Sequence, residues 1–172
     1  MIKTPMKALL IIGTLTACVG MLEFGVVYFV KSAQNPESTV SMMDLSTGYL
    51  AACLTIGLAL FQLMLALGMP WGDYVWGGFH EGKLPASLRF GSLASFILLF
   101  FGGLSVLTLT GISSLIPLRM SEYLTGVLTI ILMMSVLGNL NSQSEKERRV
   151  MIPLSIVMFG CYAYISLNYF FL

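Results

Sequence analysis

Five apolar runs, at 8–30, 46–68, 88–110, 121–140 and 150–172, dominate this chain. Each meets the requirement of roughly 20 residues for a helix crossing a hydrocarbon core about 30 Å thick. Lipid offers backbone N–H and C=O groups no hydrogen bonds, so a spanning segment must satisfy its own or close into a barrel. The runs lack the two-residue alternation of barrel strands, which leaves helices. Composition agrees. Hydrophobic residues make up 57% and charged residues 10%, against about 25% charged in a soluble domain. A soluble fold of 172 residues could not bury that much apolar surface. The expected fold is an all-α membrane protein, a single domain over 1–172 built as a five-transmembrane-helix bundle.

The formal net charge of +1 gives no reason to expect a nucleic-acid partner. The positions of the charges say more. With five spans, one side of the membrane receives Lys3, Lys7, Lys83, Arg89, Lys146, Arg148 and Arg149, and the other only Lys31 and Arg119. Basic residues concentrate on the cytoplasmic side, so the N-terminus is expected inside, the C-terminus outside, and the membrane to be a bacterial cytoplasmic membrane. One alternative concerns the start of the chain. Lys3 and Lys7 precede Leu15-Thr16-Ala17-Cys18, which resembles a lipoprotein cleavage box. The apolar run continues to Val30 without the polar stretch that follows a cleaved signal, which favours a retained first helix.

Cys18, Cys53 and Cys161 are odd in number, far apart and inside apolar runs, with no CxxC. They point to neither a disulfide framework nor a zinc site, and no cofactor is indicated. Small residues such as Gly13, Ala17, Gly20 and Gly25, then Ala51, Ala52, Thr55, Gly57 and Ala59, let helices approach closely. They suit packing within the bundle, and also a homo-oligomer or a partner membrane protein. Membrane lipids are the remaining expected partners.

Two groups stand out inside the spans as a ligand or proton path. Glu23 lies roughly 22 Å along the first run, where a charge costs a few kcal/mol unless it is paired, hydrated or protonated. Either it is protonated and donates to a residue at matching depth (Tyr49, Cys53, Thr108, Thr125, Tyr164 or Asn168), or it lines a polar cavity. Gln62 is a weaker instance of the same kind.

Two polar stretches face the same side. The first is PWGDYVWGGFHEGKLPASLR, residues 70–89. Pro70 ends a helix, and Trp71, Tyr74, Trp76 and Phe79 bring rings suited to the headgroup level. Gly72, Gly77, Gly78 and Gly82 open turns closed to other residues. His80 sits among Asp73, Glu81 and Lys83, so the loop could be structural, recognise a ligand, or bind a metal or move protons. The second stretch is NLNSQSEKERRVMIP, residues 139–153. Ser144 followed by Glu147 has the pattern of a capping box opening the last helix. Pro153 must lie near the start of that helix or kink it. Asn139 and Asn141 are placed to satisfy carbonyls where the preceding helix ends. Lys146, Arg148 and Arg149 can meet anionic headgroups. Gly102-Gly103 is expected to loosen the third span, and residues 111–118 to lie along the interface.

Both stretches carry a resemblance. Pro70, Trp71, Gly72, Trp76, Gly77, Gly78, Leu84, Pro85 and Arg89 match a PWG…WGG…LP…R loop. Asn141, Ser142, Ser144, Glu147, Arg148 and Pro153 match an N…S.S..ER…P loop. In this the chain resembles a family of small bacterial integral membrane proteins in which the two loops recur in that order. The resemblance brings no activity with it. It implies that the loops act together, packed on one another with Glu147 or Asp73 pairing Arg89, in a cluster of Trp71, Asp73, Trp76, His80, Arg89, Asn141, Glu147 and Arg148. Size and span count also resemble the tryptophan-rich sensory proteins, which bind tetrapyrroles and sterols. This chain has two tryptophans, and the loops of that family do not align with it, so the likeness is one of architecture.

HExxH, GxSxG and GxxxxGK[ST] are absent, so the sequence offers none of these catalytic motifs. The expected function is that of a non-catalytic accessory or small-ligand-binding membrane protein. The alternative is a small transporter or channel using Glu23.

Overall fold

A computed structural model describes residues 42–171. The span expected at 8–30, with Glu23 and the sequence resembling a cleavage box at Cys18, lies outside the described residues. Among the described residues four α-helices form: α1 (Met42–Leu67), α2 (Ala86–Leu109), α3 (Leu118–Leu140) and α4 (Glu145–Phe171). All four are long and apolar enough to cross a membrane, and no strand occurs among the described residues. Each helix packs on its neighbours in the chain, and α4 returns to α1 to close the bundle. The α1–α2 and α3–α4 connections therefore share one end, here called the loop face.

Local chemistry sets the helix ends. α1 stops at Gly68, whose φ of 100° only glycine adopts freely. Gly68 N–H then bonds the Leu65 carbonyl at 3.0 Å and Met69 N–H the Met64 carbonyl at 3.0 Å, the double bond of a Schellman cap. Gly111 ends α2 in the same way, with Ile112 N–H on the Leu107 carbonyl at 2.8 Å. Pro85 and Pro117 stand just before α2 and α3, where a missing N–H costs nothing. α4 begins at Glu145 and runs through Pro153 without a break. Asn139 Nδ2 donates to the Met151 carbonyl at 3.2 Å and to Ser155 Oγ at 3.2 Å. Asn139 thus braces the next helix instead of ending its own.

Gly102-Gly103 does not loosen α2. Both residues are buried; a Cβ on Gly102 would collide with Leu128 of α3, and one on Gly103 would lie 2.9 Å from Ile56 of α1. The pair lets three helices meet. Around that level sits the main core, including Ala51, Ala59, Leu99, Val106, Leu128, Met158 and Tyr162. Hydroxyl pairs cross between helices within it: Thr55 with Tyr162 at 3.1 Å, Ser105 with Thr125 at 2.9 Å, and Thr129 with Ser166 at 2.9 Å. In lipid such pairs average about 0.6 kcal/mol each. Large apolar side chains such as Leu60, Phe90, Ile97, Phe101, Ile156 and Leu167 are exposed, as a lipid-facing surface requires.

Candidate functional site: an aromatic lid over an apolar groove

The chain between α1 and α2 is a folded lid. Gly72 N–H bonds the Gly82 carbonyl at 2.8 Å, and no Cβ fits on Gly72 because the His80 carbonyl occupies that space. Val75 and Leu84 turn inward and form a second core with Leu65 and Met151. Burying such side chains contributes about 1.5–3 kcal/mol each, which holds a glycine-rich segment in one conformation. Trp76, Gly77 and Gly78 follow with φ of 56°, 76° and 69°. The glycines accept this freely. Trp76 does so at a cost of order 1–3 kcal/mol, and its indole lies against α2, 2.9 Å from where a Gly91 Cβ would stand.

The 141–144 connection and the first turn of α4 hold the lid. Glu147, 5% exposed, accepts the Ser142 hydroxyl at 2.6 Å and, at a longer 3.4 Å, the Gly77 N–H. Ser144 Oγ accepts Glu147 N–H at 3.2 Å and donates to the Asp73 carbonyl at 2.6 Å. Half of the expected capping box is therefore present. The Glu147 side chain, which would close the other half, reaches Ser142 and the lid instead. Lys146 Nζ and Asp73 Oδ2 pair at 2.8 Å. The hydrogen bond from Lys146 is the main cause that holds the Asp73 carboxyl below the ordinary carboxylate range.

Beneath the lid, a groove of about 550 Å³ opens between α1 and α4. Cys53, Gly57, Leu58 and Phe61 form one wall, Val150, Met151 and Leu154 the other, and Trp71 and Tyr74 the roof. Trp71 stacks on Phe61, with ring centroids 5.8 Å apart and planes 2° from parallel. The size lies within the range of about 300–1,000 Å³ usual for small-molecule sites.

The residues singled out from the sequence meet different fates. Trp71, Asp73, Trp76 and Glu147 belong to the lid and its fastening. Asn141 caps α3 through Nδ2 to the Leu137 carbonyl at 2.8 Å. His80 and Arg148 are exposed, and their side chains make no hydrogen bond among the described residues. Arg89 pairs with neither Asp73 nor Glu147: its Nε donates to the Ala66 carbonyl at 2.8 Å, because the open end of α1 is nearer than either carboxylate. Gln62 Oε1 is buried without a hydrogen-bond partner among the described residues, as is Ser92 Oγ on the facing helix. Glu23 lies outside the described residues.

One buried acid went unremarked in the sequence. Glu122, 9% exposed, accepts the Tyr169 hydroxyl at 2.8 Å inside the bundle. It stands at the edge of the apolar run at 121–140, three residues after Arg119, a place that does not by itself signal burial. Among the described residues, no three His, Cys, Asp or Glu side chains come together as metal ligands. No family model, curated protein or solved structure matches the chain.

Proposed function

We propose that this chain is a non-catalytic integral membrane protein that holds a small apolar ligand in the groove beneath its aromatic lid. In this reading residues 8–30 supply a fifth span, the N-terminus and the loop face are cytoplasmic, and the C-terminus is outside a bacterial cytoplasmic membrane. The distribution of Lys and Arg supports that orientation. The groove carries the functional reading: apolar walls, a flat aromatic roof and few polar atoms suit a hydrophobic molecule entering from the bilayer. The fastened lid supports it too, since a roof held by Glu147, Ser144 and Lys146 keeps one shape and lowers the ordering cost of binding.

A second reading, a small transporter or proton path through Glu23 and Gln62, draws on Gln62 Oε1, buried and without a partner among the described residues.

The test is mild purification followed by mass spectrometry of bound small molecules and co-purifying chains. The binder reading expects a stoichiometric apolar molecule that is lost in Gly57→Phe, because Gly57 lines the groove and a Cβ there meets nothing within 4 Å. An empty wild-type protein that conducts protons in vesicles would support the transport reading instead.

A further inference from the structure

The end of α1 gathers two cations that the lid and the groove do not use. A Cβ placed on Gly68 would lie 2.7 Å from Lys83 Cε, 3.2 Å from Lys83 Nζ and 3.4 Å from Arg89 Cζ. Both positive groups therefore converge on the space that a side chain at position 68 would fill. The negative end of a helix dipole attracts cations, and Arg89 Nε meets that demand at the Ala66 carbonyl. The remaining demand is small, because the Schellman bonds already occupy the Leu65 and Met64 carbonyls. The guanidinium fork and the ammonium carry many more donors than this. Among the described residues neither Lys83 nor Arg89 enters an ion pair, the acidic partners being Asp73 with Lys146 and Glu145 with Arg149. Two like charges held close together without an anion between them are unfavourable.

We infer that Lys83 and Arg89, converging over Gly68, form a binding site for a phosphate group. An Arg fork fixed through Nε and a mobile Lys point charge are complementary means of gripping a tetrahedral anion. The spans of α1 and α2 end at Leu67 and begin at Ala86, which puts the site at the level where lipid phosphates lie. Six residues before Gly68 on α1 and three after Arg89 on α2, Gln62 Oε1 and Ser92 Oγ are buried and have no hydrogen-bond partner among the described residues. The phosphate belongs to a lipid headgroup or arrives free; the chemistry that recognises it is the same. The site is on the α2 side of α1, away from the groove, and stands independently of the groove's ligand.

The test uses the full chain in neutral, phosphate-free detergent, with thermal unfolding followed by tryptophan emission. The probes are inorganic phosphate, a short-chain phosphatidic acid and a short-chain diacylglycerol. A saturable rise in midpoint with phosphatidic acid and none with diacylglycerol is expected. Lys83→Gln should weaken the apparent affinity roughly tenfold, the loss of about one charge-assisted contact. Lys83 is exposed and makes no hydrogen bond among the described residues, so this variant keeps the fold. Arg89→Lys, which retains the charge and loses the fork, should weaken it as well. A response to inorganic phosphate assigns the site to the free anion, and a response to phosphatidic acid alone assigns it to a headgroup. No saturable response to either, or equal affinity in wild type and Lys83→Gln, would overturn the site.

Discussion

The Ser144 hydroxyl donates to the Asp73 carbonyl at 2.6 Å across 71 residues of sequence. The same oxygen accepts the Glu147 N–H at the start of α4. One side chain thus caps a helix and ties the lid to it. Ser144→Ala should lower the unfolding free energy by about 1–2 kcal/mol, the worth of an N-cap and a hydrogen bond lost together. Thermal unfolding in detergent measures the loss, and tryptophan emission shows whether the lid loosens first.

Acid should loosen the lid through Asp73. Its carboxyl is held below the ordinary carboxylate range chiefly by the Lys146 hydrogen bond. A group more acidic in the folded than in the unfolded state contributes fully above its unfolded value of about 3.9 and loses that contribution as pH falls through the folded value. Lid stability, read from tryptophan emission, should therefore fall on acidification below the ordinary range. Lys146→Met should remove that part of the pH response.

Arg89→Ala should destabilise the protein by about 1.5–3 kcal/mol, because it leaves the Ala66 carbonyl without its charged donor. His80→Ala, at an exposed imidazole without hydrogen bonds among the described residues, should change stability by less than about 0.5 kcal/mol. Equal effects in a melting comparison would contradict the assignment of Arg89 to the end of α1.

Two glycines make a further contrast. Gly72→Ala drives a Cβ into the His80 carbonyl and strains the bond to Gly82, so a loss of about 2 kcal/mol or more is expected. Gly57→Ala meets nothing within 4 Å and should gain about 0.5–1 kcal/mol from helix propensity. Chemical unfolding of both variants checks the sign of each.

Much of the fold was legible because lipid demands long apolar runs: α1 to α4 each fall on one. The lid's ingredients were legible too, since Pro70, the four glycines and the rings admit few conformations. What could not be read was which acceptor each donor finds. Arg89 meets a helix-end carbonyl that no tally of charges displays. Asn139 crosses to α4 because the Met151 carbonyl and the Ser155 hydroxyl lie beside it in space. Gly102-Gly103 marks a close approach of three helices, which looks in sequence like a weak point. The groove was hidden for a related reason. These spans are apolar on every side, so periodicity does not tell which faces meet and which stay apart.

The most direct measurement uses Trp71 as its own reporter. In a Trp76→Phe background, Trp71 is the sole tryptophan, stacked on Phe61 at the roof of the groove. The protein is reconstituted in vesicles whose lipids carry bromine on their acyl chains, and quenching is compared with and without Gly57→Phe. Strong quenching is expected when the groove is open, and a marked loss when the phenyl ring fills it. Quenching that is unchanged by Gly57→Phe would show that apolar chains do not enter beneath the lid, and would overturn the groove as a binding site.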